Sequence, residues 1–168
     1  MRSIVYLLLI LLLGTTCYSQ SCLTKTYLSQ VGVREKTGHN DGVEVEMYLK
    51  ATKLGPGYAW CAAFVKWCLI QCGVPNKTIT AWAATAINQN NYVFRNQKFL
   101  QEMMPGDVFT IWSYKYNRVS HTGFGHQKLS SKVIRTVEGN TNDGGSADGD
   151  GVYQRIRPLY SIHTLSRW

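Results

Sequence analysis

Leu23, Tyr27, Leu28 and Val31 recur at helical spacing, and Gly32 ends that pattern. The polar stretch REKTGHNDG follows as a turn-rich connection, and Asn40 or Asp41 is placed to cap a second helix with Val45, Tyr48 and Leu49 on one side. Gly55, Pro56 and Gly57 close that unit. A third helix is expected from near Trp60 to Gly73, a residue suited to the position just past a helix end, with Pro75 beyond it. Thr80 is placed to cap a fourth, AWAATAIN. After Pro105 the pattern changes to short β-branched or aromatic runs bounded by turn residues: GDVFTIW, SHTGFGHQ, KVIRTVEG and GVYQRIRP. Helices first and an antiparallel sheet afterwards predict an α+β domain.

The first residues carry a different pattern. Arg2 precedes an apolar run from Ile4 to Leu13, which is too short to span a bilayer and suits the core of an export signal. Cys17 and Ser19 are the small residues at −3 and −1 for cleavage before Gln20. Gly14, Thr15 and Thr16 make a poor lipidation motif ahead of Cys17. Residues 1–19 are therefore expected to be a cleaved signal peptide. Residues 20–168 are expected to be a single domain, monomeric, periplasmic or extracellular, and without a stable membrane span.

Charge adds a partner class. Lys and Arg outnumber Asp and Glu by 18 to 10, for a net charge of +8. A basic exported chain suits an anionic envelope polymer, with simple solubility as the alternative. No long Lys/Arg cluster or nucleic-acid motif accompanies the charge, so nucleic acid is not an expected partner. GNTNDGGSADGDG, residues 139–151, lacks the full ligand spacing of a calcium loop and reads as a flexible connection between strands.

Three cysteines sit close together at 61, 68 and 72. The helix that carries them is nearly apolar all round, with Lys66 and Gln71 the clear exceptions, so it must be buried. At 1.5 Å per residue, Cys61 lies roughly 10 Å from Cys68 and roughly 16 Å from Cys72, too far for a disulfide within the helix. Cys22 is its one possible partner in the mature chain. Cys61 occupies the first turn, where unpaired N–H groups and the helix dipole favour a thiolate, the nucleophilic form. A purely structural cysteine is the alternative. Cys68 and Cys72 read as small buried side chains, or one of them bridges to Cys22.

A working thiolate needs a histidine in reach. Of the four histidines, His39 falls in a polar turn and His163 in the tail. His121 and His126 share a strand and point to opposite faces. His121 shares its face with Gly123 and Gly125, which leaves room for a close approach by another element or a substrate. That assigns His121 as the base and His126 as a strand-surface residue. Glu138, at the end of the next strand, is placed to orient the imidazole, and Asn140 shares its face if the strand continues. A solvated strand-end charge is the alternative reading of Glu138.

YAWCAAFVKWCL, then GDVFTIWSYKYNRVSHTGFG, then VEGN resembles the CHAP family, the cysteine- and histidine-dependent amidohydrolase/peptidases of bacterial and phage cell-wall lysis. The resemblance spans roughly residues 30 to 158 and implies a papain-like fold, with the cysteine opening a helix packed on an antiparallel sheet. It implies Cys61 as nucleophile, His121 as base, Glu138 as orienting residue and Asn140 as the nearby amide. The implied substrate is the peptide part of peptidoglycan, cut at an amide bond as an amidase or an endopeptidase. Asn40, Tyr58 and Asn140 are candidates for the second oxyanion donor, and Trp60 and Trp82 for lining the cleft. No cofactor is expected. The acidic cluster of the calcium-binding members is not evident, so no metal residue is assigned. Two alternatives keep the fold: an antibacterial toxin with the same chemistry, and a wall-binding module without turnover. A zinc hydrolase would need clustered ligands such as a His-x-His pair, which the chain lacks.

Overall fold

The computed structural model describes residues 21–144 and 149–168. The expected export signal, its cleavage point and Cys17 lie outside the described residues. A first helix, α1, covers residues 21–29 and is followed by α2 (Val43–Ala51) and α3 (Cys61–Gln71). Then come a short 3₁₀ turn (Ala83–Ala86) and the strands β1 (Tyr92–Arg95), β2 (Lys98–Phe99), β3 (Asp107–Ser113), β4 (Arg118–Lys128), β5 (Val133–Thr141), β6 (Gly151–Pro158) and β7 (Thr164–Ser166). The seven strands form one antiparallel sheet in the order β2-β1-β7-β3-β4-β5-β6. This is the α+β layout expected of a papain-like domain. Among the described residues no helix is long and apolar enough to cross a membrane.

The two faces of the sheet carry separate cores. Phe124 and Val137 are paired across β4 and β5 and meet Tyr27, Tyr48 and Phe64 from the helices. On the other face Phe109 and Leu165, paired across β3 and β7, join Val93, Phe94 and Ile134. Because side chains alternate along a strand, β3 gives Val108 to the first core and Phe109 to the second, and β5 gives Val137 to the first and Ile134 to the second. Val45, Tyr48 and Leu49 are the buried stripe of α2, as their spacing predicts. Nothing on the buried faces of α3 is charged, and the helix packs on β4 and β5.

Four local expectations are corrected. The second helix is capped by Gly42 rather than Asn40 or Asp41, because the Asp41 carboxylate is taken by the Thr37 N–H and hydroxyl. AWAATAIN makes only the 3₁₀ turn, since Ile87 is already extended and Asn88 bonds to Ser166 Oγ and the Arg167 carbonyl. Strands β1, β2 and β7 were not foreseen. The connection between the last two long strands is shorter than the stretch 139–151, because β5 runs to Thr141.

A disulfide joins Cys22 in α1 to Cys72 at the end of α3, with a sequence separation of 50. It settles which cysteine pairs with Cys22, and Cys61 and Cys68 stay as buried free thiols. The C-terminus is tied down as well. Arg167 donates Nε to Asp107 Oδ1 at 2.8 Å and Nη2 to Oδ2 at 3.0 Å, and Trp168 Nε1 donates to the Ala86 carbonyl at 2.8 Å.

Candidate active site

Gly57 has φ +91, a conformation that side chains resist, and its N–H donates to the Asn40 carbonyl at 3.0 Å. The turn it makes delivers Trp60 as N-cap and Cys61 as the first residue of α3. The first turn of α3 carries no acidic residue that would oppose a thiolate. Cys61 is 5% exposed and packs with Ala83 and Val119, flanked by Ile87 and Trp112. Cys68, two turns on, lies wholly in the helix-side core, where burial pushes its thiol pKa well up. The two free thiols thus differ in surroundings: one opens a helix beside a histidine and the other is sealed in hydrocarbon.

His121 sits on β4 beside a bulge, where the register slips between Ile111 and Trp112. Val119 and His121, on either side of Ser120, both reach the surroundings of Cys61. The imidazole is 2% exposed, and its Nε2 is 2.9 Å from Glu138 Oε2. With Nε2 committed to Glu138, Nδ1 is the nitrogen left available to the sulfur, and it is buried without a hydrogen-bond partner. Burial opposes the imidazolium, but the Cys61 and Glu138 groups around the ring outweigh it and raise the pKa to about 9. Gly123 and Gly125 do share the His121 face, but the second core fills the room they leave. A Cβ on Gly123 would stand 2.8 Å from Phe109, and one on Gly125 would stand 2.6 Å from Met103. On the opposite face His126 is half-buried and hydrogen-bonded through Nδ1 to the Tyr27 hydroxyl at 2.9 Å, rather than a plain surface residue.

Glu138 is fully buried and fully used. Arg157 on β6 grips it with Nε to Oε1 at 2.9 Å and Nη2 to Oε2 at 2.6 Å, and the Thr136 hydroxyl donates to Oε1 at 2.5 Å. Burial alone would raise its pKa, but Arg157 and His121 hold it well below the usual carboxylate range. The alternative of a solvated strand-end charge is thereby overturned. Arg157 and Thr136 were missed in the sequence. The usable signal was the glutamate itself, since a buried carboxylate requires a cation and the neighbouring strand GVYQRIRP supplies two arginines.

Asn140 is buried on β5 at φ +57, next to a register slip between Glu138 and Thr141, so simple alternation with Glu138 does not hold there. Between them Gly139 lies against the start of α3. A Cβ there would stand 2.6 Å from the Trp60 ring and 2.9 Å from Phe64. That close approach brings the end of β5 to the turn that carries Cys61.

The remaining candidates divide. Trp60 is fully buried, and its Nε1 donates to Glu35 Oε1 at 2.8 Å, so it belongs to the core and cannot line a cleft. Trp82 is 63% exposed and immediately precedes Ala83, which touches Cys61. Tyr58 is exposed just before Trp60. The Asn40 N–H is taken by Glu35 Oε2 at 2.9 Å, and Asn40 lines a polar cavity of about 480 Å³ together with Glu35, His39, Gly57, Asn142 and Asp150. Neither Cys61 nor His121 lines that cavity.

Residues 53–140 match the family model of the CHAP domain, a span that holds Cys61, His121, Glu138 and Asn140. The chain belongs to the CHAP family. Cell-wall amidase or peptidase activity is the class of activity that CHAP membership brings. Arg157 falls outside the matched CHAP span. No curated protein matches the chain, and no solved structure does.

Proposed function

We propose that this CHAP protein is an exported cysteine hydrolase that cuts an amide bond in the peptide part of peptidoglycan. The observation that carries the reading is the buried relay from Cys61 through His121 to Glu138. The Cys61 thiolate attacks the scissile carbonyl carbon. The oxyanion is met by the Cys61 backbone N–H at the start of α3 and by one further donor, for which Asn140, on the end of β5 that approaches α3, is the candidate. His121 gives its proton to the leaving amine as the C–N bond breaks, then takes one from the water that hydrolyses the thioester. Glu138 fixes the ring and balances its charge.

The Cys22–Cys72 disulfide supports export, because such bonds persist in oxidising compartments. The protein acts as a monomer outside the cytoplasm, with its positive charge drawing it to anionic envelope polymers. Attack on the wall of other cells uses the same residues. The test is digestion of purified peptidoglycan, with Cys61→Ala as control and mass spectrometry of the products. New amine and carboxyl ends that need the thiol are the expected result. An active Cys61→Ala variant, or no new ends with wild type, would defeat the proposal.

A further inference from the structure

Cys61 is 5% exposed and His121 2%, so the thiol and the ring that serves it are covered in this structure. The cover has two unlike halves. Val119 and Trp112 are paired across β4 and β3 and belong to the sheet. Ala83 and Ile87 come from the 3₁₀ turn and the residue after it. At its near end the turn is held by local bonds: Thr85 Oγ1 donates to the Trp82 carbonyl at 2.7 Å and accepts from the Thr80 N–H at 2.9 Å. At its far end it is held by Ser166, Arg167 and Trp168. Trp168 Nε1 donates to the Ala86 carbonyl at 2.8 Å, the Asn88 N–H donates to Ser166 Oγ at 2.9 Å, and Asn88 Nδ2 donates to the Arg167 carbonyl at 2.7 Å. Arg167 is itself locked onto Asp107 of β3 by two hydrogen bonds. The three residues therefore tie the turn to the sheet.

We infer that Ser166, Arg167 and Trp168 clasp the 3₁₀ turn over Cys61, and that Trp168 is a positioning residue whose hydrogen bond to Ala86 sets how often the turn lifts to admit a substrate amide to the sulfur. For turnover the inference rests on the hydrolase reading above; for access to the sulfur it does not. Attack on a carbonyl carbon needs an open face on the sulfur, and a residue 5% exposed offers little of one. A paired strand gives way only by breaking its ladder, whereas a single 3₁₀ turn has poorer hydrogen bonds of its own. The turn is the half that moves. Lifting it breaks the bond from Trp168 to Ala86 and strains those of Asn88. Loss of one such bond shifts the opening equilibrium by about twofold to tenfold. A substrate that binds only the open form has its apparent affinity reduced by the closed fraction. Weakening the clasp therefore lowers KM and leaves kcat as it is, because Cys61, His121 and Glu138 are untouched.

The test uses the full chain. Trp168→Phe removes the N–H donor and keeps a ring against the helix-side core, and Asn88→Ala removes a second tie. Iodoacetamide labelling of Cys61 is timed against labelling of Cys68, which is sealed in that core and reports unfolding of the whole molecule. Ile134→Val, in the other core, lowers stability without touching the clasp. Both clasp variants are expected to label Cys61 about twofold to tenfold faster than wild type, with Cys68 unchanged, and Ile134→Val to label Cys61 at the wild-type rate. On soluble peptidoglycan fragments the clasp variants are expected to lower KM by a similar factor at constant kcat. Wild-type labelling of Cys61 in both, or a rise matched by Cys68 or by Ile134→Val, overturns the clasp. A KM that is unchanged or raised, or a lower kcat, overturns it as well and leaves the hydrolase reading intact. Faster labelling of Cys61 in a protein whose wild type cleaves no amide would defeat the hydrolase reading and spare the clasp.

Discussion

Arg157 and Glu138 meet through two parallel hydrogen bonds, 2.9 and 2.6 Å long, on a carboxylate that also takes His121 Nε2 at 2.9 Å. The fork geometry of a guanidinium fits a carboxylate edge to edge and leaves it little freedom to turn. Glu138 is thus fixed from behind before it orients the imidazole in front. Replacing Arg157 by Met leaves a buried carboxylate with the imidazolium as its remaining ionic partner. A loss of about 3–5 kcal/mol in urea unfolding is expected, with Arg157→Lys losing less because it keeps the charge without the fork. Arg157→Met also removes a positive charge that opposes the imidazolium, so the alkaline limb of the pH–rate profile moves upward in Arg157→Met and stays in Arg157→Lys, which keeps the charge. A downward move in Arg157→Met would mean that Glu138 had taken up a proton instead.

The His121 pKa of about 9 makes a specific pH dependence. Below it the imidazolium is present to protonate the leaving amine, so kcat falls as the pH rises through about 9. Stability has the same upper edge. A group whose pKa is raised on folding contributes fully below its ordinary value of 6.5, and that contribution disappears as pH passes about 9. Glu138 supplies the other edge: its pKa is depressed, so its contribution holds above the ordinary carboxylate range and is lost as pH falls toward the depressed value. Urea midpoints measured from acid to alkaline pH are expected to form a plateau that drops at both ends. In Glu138→Gln the alkaline fall in kcat moves to lower pH, and kcat drops by roughly 10²–10⁴-fold as the ring loses its tautomer control.

The relay was readable because its parts obey local rules. Gly-Pro-Gly ahead of Trp60 marks a helix start, strand alternation separates His121 from His126, and Glu138 ends the next strand. What escaped depends on pairing between distant segments. β2 and β7 have two and three residues, too few for a period to show, and β7 enters the sheet between β1 and β3 far from either in sequence. Arg157 stands across from Ile134 in the β5–β6 register and reaches Glu138 along the sheet, a relationship invisible until that register is known. Trp60 misled for a related reason: adjacency to the nucleophile in sequence says nothing about which way a ring turns, and Glu35 draws this one inward.

The disulfide and the thiols make a separable pair of expectations. Closing a loop of 50 residues stabilises the fold by about 4 kcal/mol in the chain-entropy model. Reduction should therefore lower the melting temperature while cleavage at moderate temperature survives, because neither Cys22 nor Cys72 belongs to the relay. Iodoacetamide on the native protein is expected to label Cys61 and leave Cys68, whose thiol is buried and has its pKa pushed up. Peptide mapping of the labelled protein reads this directly, and prior labelling should abolish cleavage.

Gly139 offers the sharpest test of how the relay is held against the helix. It is the residue after Glu138, and its missing Cβ is what lets β5 lie against Trp60 and Phe64. In Gly139→Ala the added methyl would stand 2.6 Å from the Trp60 ring and 2.9 Å from Phe64, and both rings are fully buried. Overpacking of this kind costs about 1–3 kcal/mol, measurable as a lower urea midpoint. The strand must shift away from α3, and Glu138 and Asn140 shift with it. The variant is therefore expected to lose kcat even under conditions where circular dichroism shows it fully folded. A variant that is destabilised but retains wild-type kcat would show that the approach of β5 to α3 serves packing alone and that the relay tolerates its movement.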